Sequence, residues 1–202
     1  MTAVQRVNGI IRRVPGWPIY LLFPLPGIWL FWRALNNQLG ANPIEVLEHE
    51  YGELGLQLII VTLLITPLRR WTHINLLSFR RAIGVMAFVY VLAHVLTWLL
   101  LDHQLDLQAI WTEIVKRPYI TIGMVGFLAL LPLALTSNNL SVRKLGPLRW
   151  RKLHRLAYLA AFAGAAHYLL LVKAWPIEPI IYAAVVAALL GMRLYWKMSS
   201  QR

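Results

Sequence analysis

The chain has 202 residues, of which 59% are hydrophobic and 14% are charged. Soluble domains are about 45–50% apolar and about 25% charged, so these proportions exclude an ordinary soluble enzyme, a disordered protein and a nucleic-acid-binding module. Six membrane-spanning helices need about 120 apolar residues, roughly the number present, which leaves little for a second domain. We therefore expect residues 1–202 to form one all-α, polytopic membrane domain, a bundle of six transmembrane helices.

Six apolar stretches give the predicted spans in chain order. They cover residues 17–32, 52–68, 82–101, 118–135, 153–172 and 176–192. Pro18, Pro24 and Pro26 interrupt the first span, which should be kinked, tilted or partly interfacial because proline removes backbone donors. Residues 42–51 and 105–115 fall between spans. They could form helices on the outer membrane surface, or ordered loops packed on the bundle.

The connections between spans alternate between two sides and differ in charge. The connections on one side, together with both termini, hold 16 of the 20 basic residues. The connections on the other side hold all eight acids and only Arg33, Lys116, Arg117 and Lys173. The positive-inside rule then places both termini in the cytoplasm. The net charge of +12 is thus explained by membrane topology and lipid headgroups, without a nucleic-acid partner.

Histidines within the spans are the candidate site residues. His94 lies in the third span and His167 in the fifth. Ionisable residues inside a span are costly and usually functional, although a single one can also be a packed, hydrogen-bonded side chain. Counted from residues 82 and 153, both lie roughly 18–21 Å from the inner end of their helices. Two neutral imidazoles at matched depth can bind both axial positions of a haem iron, which favours electron transfer over oxygen or substrate binding.

His154 lies at the inner edge of the fifth span, about 20 Å below His167 on a continuous helix. The positions at the same depth on the third span are Arg80 and Arg81, so these two helices offer no second pair of histidines. His154 could bind a second haem alone, pair with another group, or face a flavin or quinone. The alternative is an interfacial histidine among basic neighbours.

Other chemistry is sparse in the sequence. The chain has no cysteine, which excludes disulfides, iron–sulfur clusters and covalent c-type haem. The acidic cluster, defined as Glu45, Glu48, Glu50 and Glu53 with His49, could hold a metal, but a solvated face or a partner's docking surface is the commoner use. A glycine-rich dinucleotide fingerprint is missing from the sequence, so we expect no built-in NAD(P)H domain.

Several stretches together resemble a known family. They are GANPIEVLEHEYG, LLITPLRR, FRRAIGV, AHVLTW, KRPYITIG, LALTSNN, LGPLRWRKLHRLAYL and HYLLLVK, and they cover most of residues 40–173. In this order they resemble the MsrQ (YedZ) family of the ferric-reductase-like transmembrane superfamily. One residue departs from the family pattern: the pattern predicts a threonine before Gly52, and this chain has Tyr51 there.

The resemblance implies the haem-bearing subunit of a two-component system in the bacterial inner membrane. The expected partner is a periplasmic molybdopterin enzyme, an MsrP-type reductase, which reduces methionine sulfoxide in oxidised envelope proteins and holds the sulfoxide chemistry. The expected cofactors are haem b, with His94 and His167 as iron ligands, and FMN, with His154 as a third functional histidine. Electrons would come from the quinone pool or a cytosolic flavin reductase.

Two alternatives remain at this point. One is a haem-free membrane transporter or assembly factor, in which the histidines serve packing or a proton relay. The other is a cytochrome of the same fold with another electron acceptor.

Overall fold

The computed structural model describes residues 2–172 and 176–200, and it contains helices but no strand in these ranges. The all-α expectation is therefore confirmed for the described residues. Two compact units are distinguished, Met1–Asp106 and Leu107–Arg202. Lys173 and Arg202, both used in the charge argument, lie outside the described residues.

The described residues of the first unit form five α-helices. They are α1 (Ala3–Arg13), α2 (Trp17–Leu22), α3 (Leu25–Leu35), α4 (Pro43–Thr72) and α5 (Leu77–Leu96), and a π-helical segment, Thr97–Asp102, follows α5. The helix α1 was not among the predicted elements. Thr2 and Gln5 form a reciprocal capping box at its start, and Arg12 and Arg13 lie in its last turn, where basic side chains suit the helix dipole.

The helix α4 corrects the predicted boundary of the second span. Residues 42–51 are not a separate surface segment, because α4 is one helix of 30 residues that includes almost all of them. Pro43 occupies the first turn, where its missing N–H is not needed. Tyr51 is 7% exposed inside this helix, so it packs in the core of the first unit and does not belong to an outer loop.

The first predicted span is broken where the prolines occur, as expected, and two tyrosines complete its hydrogen bonding. In a continuous helix, Gly27 N–H would donate to the Phe23 carbonyl. Here the Tyr90 hydroxyl lies between them: it accepts from Gly27 N at 3.1 Å and donates to Phe23 O at 2.6 Å. The Tyr51 hydroxyl donates to Gly27 O at 3.0 Å. The break between α2 and α3 is thereby fixed to α4 and α5.

The second unit also contains five helices within its described residues. They are α6 (Leu107–Lys116), α7 (Pro118–Leu135), α8 (Asn139–Leu153), α9 (Leu156–Leu171) and α10 (Ile177–Ser199). The bounds of α7 match the fourth predicted span, and α6 confirms a helix within residues 105–115. The helix α8 lies between the fourth and fifth predicted spans, in a segment expected to be a connection. Asn138 caps its start, and Gly146, with φ 75°, kinks it before Pro147.

Five helical segments of the described chain are long and apolar enough to cross a bilayer. They are Trp17–Leu35, Pro43–Thr72, Leu77–Asp102, Pro118–Leu135 and Ile177–Ser199. The helix α9 corresponds to the fifth predicted span, but its 16 residues rise only about 24 Å, less than the roughly 30 Å of hydrocarbon. Large apolar side chains are exposed in both units, among them Trp29 at 56% in the first and Phe162 at 61% in the second.

Candidate functional site

His94 lies near the end of α5, and α4 fixes the orientation of its ring. Its Nδ1 is 2.8 Å from the carbonyl oxygen of Glu48. Because a carbonyl can only accept, Nδ1 carries the proton and Nε2 carries the lone pair. Gly52 lies against the same ring, since a Cβ atom built there would be 3.0 Å from Nδ1 and 3.3 Å from Cε1.

His167 occupies the corresponding position in the second unit, near the end of α9. Its Nδ1 is 2.7 Å from the carbonyl oxygen of Tyr119, on α7, so its proton is also on Nδ1. Gly123 lies against this ring, where a Cβ atom would be 2.8 Å from Nδ1 and 3.1 Å from Cε1. The Tyr119 ring is a further neighbour, with its centroid 5.9 Å from that of the imidazole.

The two helix pairs, α4–α5 and α7–α9, match beyond the histidines. In each pair a second glycine follows the first by three residues, giving Gly55 and Gly126. A Cβ atom on Gly55 would lie 3.3 Å from Val91 N, and one on Gly126 would lie 3.7 Å from Gly164 N. Both of these nitrogens belong to the residue three positions before the histidine. In both pairs, a carbonyl acceptor, two glycines and a histidine thus make contacts in the same register. This local repeat was not predicted from the sequence.

The helix bounds change the earlier estimate of depth. His94 is 17 residues after the start of α5 at Leu77, whereas His167 is 11 residues after the start of α9 at Leu156. The equal depth expected from the sequence assumed helix starts at residues 82 and 153, and neither is observed. The likeness of the two histidines therefore rests on their matching contacts and not on equal distances from the helix starts.

His154 is held differently from the other two histidines. It ends α8, its ring stacks on Trp150 with centroids 3.8 Å apart, and its Nε2 is 3.1 Å from the Thr136 hydroxyl oxygen. That hydroxyl donates its own hydrogen to the Pro132 carbonyl at 2.6 Å, so it accepts from His154 Nε2–H. Trp150 Nε1 donates to the carbonyl of Thr136 at 2.8 Å. His154 thus uses the ring nitrogen opposite to the one that donates in His94 and His167.

The acidic cluster does not form a metal site in the described part of the chain. Groups of three or more His, Asp or Glu side chains with metal-binding geometry are absent from residues 2–172 and 176–200. Two members of the cluster have other contacts: the Glu48 carbonyl accepts from His94, and Glu53 accepts from Gln57 at 2.7 Å.

The three histidines were predicted from the sequence, but the groups that orient them were not. Backbone carbonyls leave no trace in residue type, so Glu48 and Tyr119 could not be recognised as acceptors. A usable signal was present in the glycines. The pattern Gly-x-x-Gly occurs at residues 52–55, 42 residues before His94, and again at residues 123–126, 44 residues before His167.

Comparison with known proteins is consistent with this architecture. Residues 51–165 match the family described as "Ferric reductase like transmembrane component". The chain is 52% identical over 184 residues to the "Protein-methionine-sulfoxide reductase heme-binding subunit MsrQ" of Brucella ovis, and proteins of the same description in Brucella canis and Brucella suis have the same identity. These alignments cover 89% of the chain and 83% of each relative. No solved structure matches the chain.

The apolar helices and the matched transmembrane family together make the chain a multi-pass membrane protein. The family match covers more than half of the 202 residues, and the Brucella relatives align along most of both chains. The chain therefore belongs to the MsrQ family of ferric-reductase-like transmembrane proteins.

Proposed function

We propose that the chain is a b-type cytochrome subunit that passes electrons across the bacterial inner membrane to a periplasmic reductase of methionine sulfoxide. The observation that carries the proposal is that His94 and His167 both donate Nδ1–H to a backbone carbonyl of the preceding long helix. Metal-bound histidines characteristically donate their second ring nitrogen in this way. The haem-binding description of the Brucella relatives supports the same reading.

The donor chemistry of these two residues fits haem iron. With the proton held on Nδ1, each neutral imidazole has its lone pair on Nε2, the atom that coordinates iron as an axial ligand. We assign His94 and His167 as the residues that would hold the haem iron. Haem b bound there would supply a one-electron Fe(III)/Fe(II) couple, which suits electron transfer.

The surrounding residues hold the ligands in position. The carbonyls of Glu48 and Tyr119 fix the tautomer and raise the basicity of the coordinating nitrogen. The apolar helices can lie in hydrocarbon, because most of their polar backbone groups are satisfied within the helices. The sulfoxide chemistry itself belongs to the partner, an MsrP-type molybdopterin enzyme.

We also propose a membrane topology for the chain. Six spans, with α2 and α3 together as the first and α9 as the fifth, place both termini in the cytoplasm under the positive-inside rule. The basic inner connections then face anionic lipid headgroups.

The electron donor and a second cofactor are proposed from the family resemblance. The donor is the quinone pool or a cytosolic flavin reductase, and FMN is the second cofactor. We place His154 near this cofactor at the inner side, since its ring is fixed by Trp150 and Thr136 in a setting unlike that of the haem ligands.

Electron delivery can be tested with the purified chain in lipid nanodiscs. The chain is reduced with a limiting amount of dithionite and mixed with the MsrP-type reductase of the same organism and a protein that contains methionine sulfoxide. With the reductase in catalytic amount, we expect complete loss of the ferrous absorption band only when reductase and sulfoxide are both present, with the sulfoxide-free protein as control. An equal rate without the reductase would refute this acceptor and favour the cytochrome with another acceptor.

A further inference from the structure

We propose that Gly52 and Gly123 are a matched pair of positioning residues that set the ring planes of the two haem ligands. This inference rests on the proposed function and deepens it. It assigns a role to two side-chain-free positions, one in each unit, that act on iron only through the neighbouring imidazole.

The first support is the closeness of each glycine to its ring. A Cβ atom on Gly52 would lie 3.0 Å from His94 Nδ1, and one on Gly123 would lie 2.8 Å from His167 Nδ1. Such separations are at or below the shortest contacts that Cβ atoms make. Any larger residue would therefore turn or displace the imidazole, or lengthen its hydrogen bond.

The second support is the spacing along the helix. The carbonyl that accepts from Nδ1 belongs to Glu48 or Tyr119, four residues before the glycine in each unit. Residues four apart lie on the same helix face, so one face supplies both the acceptor and the gap that lets the ring reach it. Hydrogen bond and close contact together define the ring plane, which neither would do alone.

The third support is that the arrangement occurs twice with the same register. Gly55 and Gly126 pack against backbone three residues before each histidine, at the nitrogens of Val91 and Gly164. Close helix packing alone would explain a Gly-x-x-Gly pattern. It does not explain why the first glycine of each pattern contacts an imidazole. It also does not explain why the Nδ1 of that imidazole is hydrogen-bonded to a carbonyl one turn before the glycine on the same helix.

The axial ligand planes determine the g values of a low-spin haem, so electron paramagnetic resonance reads this role directly. We expect Gly52→Ala and Gly123→Ala to shift the low-spin g values or to lose haem. The effect should be larger for Gly123→Ala, where the added carbon is closer to the ring. Matched controls are Gly84→Ala, where the nearest atom is 3.9 Å away, and Gly191→Ala, where nothing lies within 4 Å.

The outcomes separate this inference from the proposed function. If His94→Ala and His167→Ala lose haem while both glycine variants keep wild-type g values, only the positioning role is refuted. The positioning role is also refuted if Gly84→Ala or Gly191→Ala changes the g values as much as Gly52→Ala does. If His94→Ala and His167→Ala retain haem unchanged, the ligand assignment fails and the positioning role fails with it.

Discussion

The proton on Nδ1 is what makes His94 and His167 suitable as metal ligands. A backbone carbonyl cannot change its protonation state, so it holds one tautomer more reliably than a titratable side chain would. Side-chain partners such as Asp or Glu would bring a charge into an apolar region at considerable cost. The two carbonyl contacts therefore give both imidazoles a fixed orientation without using a charged partner.

His154 should not be needed to hold the haem that we assign to His94 and His167. Its Nε2 donates to Thr136 and its ring stacks on Trp150, so its contacts differ from those of the two assigned ligands. We expect His154→Ala to keep the wild-type haem content and low-spin spectrum. The measurement is the ratio of haem to protein after purification in mild detergent, and a clear fall in that ratio would make His154 a ligand.

The sequence identified the histidines because an ionisable side chain stands out within an apolar stretch. The Gly-x-x-Gly pattern that precedes each histidine was overlooked, because glycine in a transmembrane helix usually indicates close helix packing. Tyr51 was misplaced. Residues 42–51 were expected to be a separate helix or an ordered loop on the outer side, whereas α4 continues through residues 43–51 and buries the Tyr51 ring.

The break between α2 and α3 was predictable from its prolines, but the way it is stabilised was not. Proline positions indicate where donors are lost. They do not show which side chains from other helices form hydrogen bonds with the backbone groups at the break. Tyr90 and Tyr51 come from α5 and α4, at sequence separations of 63 and 24 residues from Gly27, so only the fold brings them there.

Removing the Tyr90 hydroxyl should destabilise the first unit. Tyr90→Phe leaves Gly27 N–H and the Phe23 carbonyl without their present partner, and a buried unsatisfied group costs about 1–3 kcal/mol. We expect a lower thermal unfolding midpoint for Tyr90→Phe in detergent. Tyr51→Phe removes a single donor and should cost less.

The control for this series is Tyr20→Phe, because Tyr20 is 41% exposed on α2. Its unfolding midpoint should stay close to that of the wild type. Equal midpoints for Tyr90→Phe and Tyr20→Phe would show that the hydroxyl bridge does not stabilise the break.

Composition alone was sufficient to predict an all-helical membrane protein, and the described residues and the family match confirm that class. The number of spans was harder to predict. Hydropathy averages over a window and does not show where a helix ends, so residues 153–172 suggested a full span, whereas α9 covers only Leu156–Leu171. Polar helices such as α1 and α8 also escape a search for apolar stretches.

The central claim is that His94 and His167 are the iron ligands of one haem. The most direct test is the dithionite-reduced minus oxidised visible spectrum, with the haem-to-protein ratio, for the wild-type chain and the variants His94→Ala and His167→Ala. We predict a low-spin b-type spectrum with about one haem per wild-type chain, and its loss in each variant while the protein still folds. Wild-type haem content and spectrum in either variant would contradict the claim.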